Sequence, residues 1–298
     1  MMRKTITWPA TGLCLLATSA ATGQQAGIEE ETPAMARAEA QPGPELEFIF
    51  TPGVWLPRLK GDTTFGSLAG ARVIDLDEML ELDDSEPIFR GELTLRIDDY
   101  WQVRADGFDF SADSAGTFFF NRRFGDVILE PGDRYRASID LTSAAIEAGA
   151  DLFTVVGDAA PERPGREADL RFTPRLGLRY AGVDQSLQRL GGEREELSGD
   201  WLALYGGLEM RLRYEPAGGV AGLPFARAMQ LEAGGTIGPA FGGDGGFIWQ
   251  IRAGATVEFT PNVGLTFGYR LTELDVEDGD WAFDAGLQGL FLAATVRF

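Results

Sequence analysis

Histidine is absent from the 298 residues, and the one cysteine is Cys14. Without histidine the chain lacks the usual general base, the usual metal ligand and the imidazole of every serine or cysteine triad. Lysine is nearly absent too, since beyond Lys4 only Lys60 occurs, which argues against serine–lysine chemistry. Positive charge is in deficit overall, with 26 Lys and Arg against 46 Asp and Glu and a formal net charge of -20. A surface of that sign repels phosphate backbones, so nucleic acid is excluded as a partner. Carboxylate pairs occur at Asp83-Asp84, Asp98-Asp99 and Glu195-Glu196. Such pairs are able to exchange protons, but these fall in expected loops and turns, where solvated charge is the commoner role. The chain therefore reads as a non-enzyme with no catalytic, cofactor or metal residues.

Long apolar runs are also missing, and no stretch beyond Leu46 reaches the roughly 20 residues that a membrane-spanning helix needs. The N-terminus has a basic start at Arg3 and Lys4, a short apolar stretch from Gly12 to Ala17, and small residues at Ser19, Ala20, Ala21 and Gly23. That order is the pattern of a Sec signal peptide, here residues 1–23. Cys14 follows Leu13 rather than the small residue of a lipoprotein signal, so the exported chain is expected to be free of cysteine and of disulfides. Stability must then come from sheet closure. Residues 24–44 are rich in Ala, Glu, Pro and Gln without apolar periodicity and read as a disordered periplasmic leader. Residues 45–298 remain as one domain.

What this domain has is alternation. Phe89, Leu93, Leu95 and Ile97 oppose Arg90, Glu92, Thr94, Arg96 and Asp98, because successive side chains of a strand point to opposite faces. Three more stretches repeat the pattern. Leu202, Leu204, Leu208, Met210, Leu212 and Tyr214 oppose Tyr205, Glu209, Arg211 and Arg213; Trp249, Ile251, Ala253, Val257 and Phe259 oppose Gln250, Arg252, Thr256 and Glu258; and Val263, Leu265, Phe267, Tyr269 and Leu271 oppose Thr266, Arg270 and Thr272. Further strands are expected at 46–57, 100–112, 137–153, 169–182, 227–241 and 284–298. Runs this long exceed the ~5–6 residues of strands in soluble sandwiches. The expectation is an all-β, closed antiparallel transmembrane β-barrel of about ten strands, within a range of roughly eight to twelve. An even count puts both termini in the periplasm. Trp101, Tyr214 and Phe259 fit an aromatic belt on the periplasmic side, and Trp201, Trp249 and Trp281 one on the outer side.

The polar faces meet in the lumen. They supply Arg90, Arg96, Arg175, Arg179, Arg211, Arg213, Arg252 and Arg270 together with Glu92, Glu147, Glu209, Glu232 and Glu258. A bore of about ten strands is too narrow for a wide porin channel, so these charges are expected to interlock. In the acidic run DLDEMLELDDSE, Leu76, Met79 and Leu80 fit one side of a short amphipathic loop helix near 75–82. The run lacks the ligand spacing of an EF-hand. The GGDGG stretch at 242–246 reads as a hairpin turn, not a phosphate loop.

The stretch FTPGVWLPRLKGD, Phe50 to Asp62, followed by the acidic segment Asp75 to Glu86, resembles an uncharacterised branch of the small bacterial outer-membrane barrels of the OmpA and OmpW type. The C-terminal strand carries Leu290, Leu292, Ala294, Val296 and the terminal Phe298 on one face, which looks like the signal that the barrel-assembly machinery reads. It departs from that pattern at Phe291 and Ala293, where the family prefers a polar residue and a glycine. The resemblance implies a Gram-negative outer-membrane location reached through the Sec pathway. Its implied partners are outer-membrane lipid, lipopolysaccharide, periplasmic chaperones and the assembly machinery. Two functional readings follow: a structural or surface-interaction barrel without catalysis, and a narrow pore or passive transporter for small solutes controlled by the acidic loop 60–86.

Overall fold

A computed structural model describes residues 45–298 except 67–72, 83–85, 99, 120, 126, 158–165, 217–218 and 221. The expected signal peptide and leader lie outside the described residues. The strands in chain order are β1 (Leu46–Phe65), β2 (Ile74–Asp75), β3 (Ile88–Ile97), β4 (Trp101–Thr117), β5 (Arg122–Phe124), β6 (Val127–Leu129) and β7 (Arg134–Ala150). They continue as β8 (Phe153–Gly157), β9 (Arg166–Arg189), β10 (Arg194–Pro216), β11 (Ala228–Phe241), β12 (Gly245–Glu258), β13 (Val263–Asp278) and β14 (Trp281–Arg297).

Ten of these strands form a closed antiparallel barrel in the order β1-β3-β4-β7-β9-β10-β11-β12-β13-β14, and β14 returns to pair with β1 from Ile49↔Arg297 to Phe65↔Trp281. Closure removes the unpaired edge that an open sheet exposes. The main-chain N–H of Phe298 donates to Phe48 O (2.9 Å) and that of Phe48 donates to Phe298 O (3.2 Å), so the first and last barrel strands lock together at one mouth. Of the remaining strands, β8 continues β7 along the lower part of β9, β2 pairs with β1, and β5 with β6 forms a separate hairpin.

The barrel has two storeys with opposite polarity. Around the mouth where β1 begins and β14 ends, the outward side chains are apolar and exposed, as with Leu46, Phe48, Phe50, Val54 and Leu56 on β1 and Val263, Leu265, Phe267 and Tyr269 on β13. Eleven residues, 46–56, rising about 3.3 Å each at a tilt of about 45°, span about 25 Å, the height of a membrane barrel's apolar band. Past that level the longer strands continue and their two faces exchange character. On β13 the outward residues become Glu273, Asp275 and Glu277 while Leu274 and Val276 turn inward; on β14, Asp284 and Gln288 face out over buried Trp281, Phe283, Ala285 and Leu287. The upper storey is thus a polar-surfaced barrel with an apolar core. Trp55, Leu59, Phe110, Ile139, Val183 and Leu187 fill it.

This exchange corrects three sequence expectations. Several strands run well beyond the expected ends, with β9 and β10 reaching 24 and 23 residues, because pairing continues where lipid-facing patterning stops, whereas β11 keeps to the expected 227–241. Trp201 and Trp281 are 1% and 3% exposed. They sit in the upper core 5.8 Å apart rather than in an outer belt, whereas Trp101 is exposed. The loop helix near 75–82 is a single capped turn: Asp75 Oδ1 accepts from the N–H of Asp77 (3.0 Å) and Glu78 (2.7 Å), and Met79 N–H donates to Asp75 O (3.3 Å). It stops there because Ile74, Leu76, Leu80 and Leu82 are drawn into the apolar core as a strap. The GGDGG stretch is the β11–β12 turn. A Cβ at Gly246 (φ 139°) would stand 2.1 Å from Asp275 O.

On this two-storey arrangement, Phe267→Arg, mid-way up the apolar band, is expected to cost roughly 2–4 kcal/mol of stability. Asp275→Arg, on the same outward face of β13 but above the band, should cost nothing. Urea titrations of the barrel refolded into vesicles measure both; equal penalties would remove the boundary between storeys.

Candidate functional site

Alternation forces the lower lumen to be polar wherever the outer wall is apolar, and the sequence supplies arginine and carboxylate to nearly every strand there. Glu209 on β10 is the hub. Its carboxylate lies 2.9 Å from Arg104, 2.9 Å from Arg175, 2.7 Å from Arg211 and 3.3 Å from Arg252. Glu147 bridges Arg104 (3.2 Å) and Arg175 (2.8 Å) and accepts from the Tyr205 hydroxyl (3.2 Å). Glu92 meets Arg90 (3.0 Å), Arg104 (3.2 Å) and Arg252 (2.6 Å), and Glu232 meets Arg252 (3.3 Å).

A second network lies towards the upper storey. Asp106 takes Arg270 at 2.7 Å and Arg179 at 3.5 Å. Both guanidiniums also donate to Gln250 Oε1. Arg270 stands against the rings of Trp55 and Phe108, 5.4 and 5.3 Å from their centroids, where charge meets the apolar core above. A third group surrounds the mouth: Arg96 and Arg297 with Glu47, Arg297 and Arg213 with Glu258, Arg213 and Arg227 with Glu215, and Arg171 with Asp151 and Asp169. Here a vestibule of about 570 Å³ opens.

The structure places Arg90, Glu92, Arg175, Arg179, Glu209, Arg211, Arg252 and Arg270 in the two mid-lumen networks, and Arg96, Arg213 and Glu258 at the mouth. Arg104 and Asp106 were missed. Their strand, β4, presents Trp101, Val103, Ala105, Gly107 and Asp109 outward, an outer face too weakly apolar to flag its inner one. Leu290, Leu292 and Phe298 of the C-terminal face point outward and are exposed.

A different feature crosses the outer wall of the upper storey. Asp275↔Asp284, Asp284↔Asp62 and Asp62↔Asp75 are direct cross-strand pairs, so four aspartates stand in a row over β13, β14, β1 and β2. All lie above the apolar band. Partial burial, then the neighbouring Asp75 and Asp284, push the Asp62 carboxyl above its usual 3.8, and burial with Asp275 does the same to Asp284. Among the described residues no three acidic, histidine or cysteine side chains are grouped to hold a metal ion.

No known protein family matches the chain, and no curated protein matches it. Among solved structures it is similar to Ail, the attachment invasion locus protein of Yersinia pestis, solved in complex with the heparin analogue sucrose octasulfate. That match has 13% identity and a TM-score of 0.35, and covers 85% of this chain and 99% of that one. It is also similar to the outer membrane protease OmpT of Escherichia coli (9% identity, TM-score 0.41, 84% and 97% covered). A third likeness is to the toluene transporter TodX of Pseudomonas putida (9%, 0.24, 84% and 89%). Likenesses this distant assign neither a ligand nor an activity.

Two outcomes are expected. Glu209→Gln leaves four arginines around a neutral group and should destabilise the barrel by roughly 3–5 kcal/mol, the cost of breaking a buried pair from one side; urea midpoints of wild type and variant measure it. Asp62→Asn should stabilise the upper storey at pH 7 by roughly 0.2–1 kcal/mol. A carboxyl whose folded pKa is raised penalises the folded state above that pKa and is relieved as pH falls through it. The gain from Asp62→Asn should therefore vanish as pH drops towards 3.8, followed as the difference between the two proteins' unfolding midpoints. A gain independent of pH would show that the row does not repel.

Proposed function

We propose that the chain is a non-catalytic bacterial outer-membrane barrel with a closed bore, serving as a wall-embedded structural body that presents its upper storey outside the membrane. The observation that carries this reading is the filling of the bore at two successive levels. The Glu209 and Asp106 networks cross the lower lumen, and Trp55, Leu59, Trp201, Trp281 and Phe283 pack the upper one together with the strap residues Leu76 and Leu80. The exposed apolar band favours lipid around the lower storey, since unpaired main-chain groups are not tolerated there and a closed barrel leaves none. Above it, the carboxylates and hydroxyls of β4, β7, β9 and β13 suit contact with the polar head of lipopolysaccharide or with other cell-surface ligands. The outward face of Leu290, Leu292, Val296 and Phe298 suits recognition by the assembly machinery. The lack of histidine and the saturation of the buried carboxylates by arginine favour the absence of catalysis.

A pore for small solutes is the weaker reading. It would require both the ionic layers and the apolar core to part. Planar-bilayer recording of the purified mature barrel tests the two: no steady single-channel steps are expected, and reproducible unitary conductance would replace the closed body with a channel.

A further inference from the structure

We propose that the lower lumen binds a small inorganic anion of the halide class beside Arg90. The first support is charge. The network around Glu209 joins five arginines (Arg90, Arg104, Arg175, Arg211 and Arg252) to four glutamates, and the Asp106 network joins Arg179 and Arg270 to one carboxylate. Among the described residues each network thus carries one uncompensated positive charge, on side chains no more than 11% exposed. Among the described residues the five arginines at the mouth are taken up by five carboxylates there, and the two further acids of the vestibule, Glu45 and Asp98, are exposed to solvent. Arginine does not release its proton at any ordinary pH, and an unpaired charge held away from water is costly. A counter-ion from solution is the remaining remedy.

The second support is an unused donor set. The Arg90 side chain is 2% exposed and spends Nη2 on Glu92, a carboxylate it shares with Arg104 and Arg252. Among the described residues its Nε and Nη1 have no hydrogen-bond partner, while its guanidinium lies over the Phe291 ring at 4.7 Å. Arg90 lines a cavity of about 50 Å³ with Arg252, Thr94, Thr266 and Thr295, and the two carboxylates that also line it, Glu92 and Glu232, are both held by arginine. That volume takes an ion and a few waters, at roughly 10–15 Å³ each, and is too small for a bulky organic anion. Arg96, Arg211, Gln230 and Arg297 line both this cavity and the wide vestibule at the mouth. An anion therefore has a route in along arginines. Water alone would satisfy the free N–H groups but not the charge.

The test uses the mature barrel in detergent, unfolded in sodium chloride, sodium bromide or sodium gluconate at equal sodium. A ligand that binds only the folded state raises stability in a saturable way, so chloride and bromide should do so and gluconate should not. Crystals grown in bromide should show an anomalous peak within hydrogen-bond reach of Arg90 Nε or Nη1. Arg90→Met should weaken the apparent chloride affinity about tenfold or more, the effect of losing one charge-assisted hydrogen bond. If that variant does not fold, the bromide map of the wild type decides alone. Equal stabilisation by gluconate, or water without anomalous signal in the cavity, would overturn the assignment.

Discussion

Side-chain alternation ties every outward residue of this barrel to an inward neighbour one position away, and the rest of the structure follows from that coupling. A wall made apolar for lipid leaves the adjacent positions to face a narrow bore, and the chain fills them with arginine and carboxylate. Where the outer wall turns polar, the same coupling makes the inner face apolar and builds an ordinary packed core. The charged and greasy fillings are one pattern read in two phases. Arg270, paired to Asp106 while lying against Trp55 and Phe108, stands where the phases meet.

The two fillings differ in what they contribute. Apolar burial in the upper storey stabilises in proportion to the area removed from water, about 25 cal/mol per Å². Burying ions is different, because desolvation offsets most of the mutual attraction. A carboxylate such as Glu209 gains little over a well-packed apolar residue, yet once its four arginines surround it, removing it is expensive. The network therefore acts more on register than on net stability. A strand shifted by one residue would send its guanidiniums into the lipid band and its leucines against Glu209.

Much of this was legible in the sequence. Four long two-faced stretches fixed the orientation of β3, β10, β12 and β13, and the inward arginines followed from the same parity. Legibility ended where the pattern changed phase. On β13 the apolar residues move from odd positions (Val263 to Leu271) to even ones (Leu274, Val276), and on β14 from odd (Trp281 to Leu287) to even (Leu290 to Phe298). A search for one continuous lipid-facing period reads such a shift as the end of a strand. The acidic run misled for a related reason: Leu76 and Leu80 do lie on one side, but the core of the barrel claims them as a strap, and tertiary packing overrides the local preference for a longer helix. Nothing in the linear sequence aligns Asp62, Asp75, Asp284 and Asp275, since their row exists only through pairing of four strands.

The seam between β1 and β14 has a kinetic consequence. Most other barrel pairings join neighbours along the chain, whereas Trp55 Nε1 donates to Gly289 O across 234 positions. Closing a loop of that length carries an entropic cost that is met before the seam's hydrogen bonds form, and long-range pairing slows folding accordingly. Until that seam closes, β1 and β14 are both raw edges open to pairing with other chains. Closing the barrel thus depends on β1 and β14, far apart along the chain, meeting each other before either edge meets another chain.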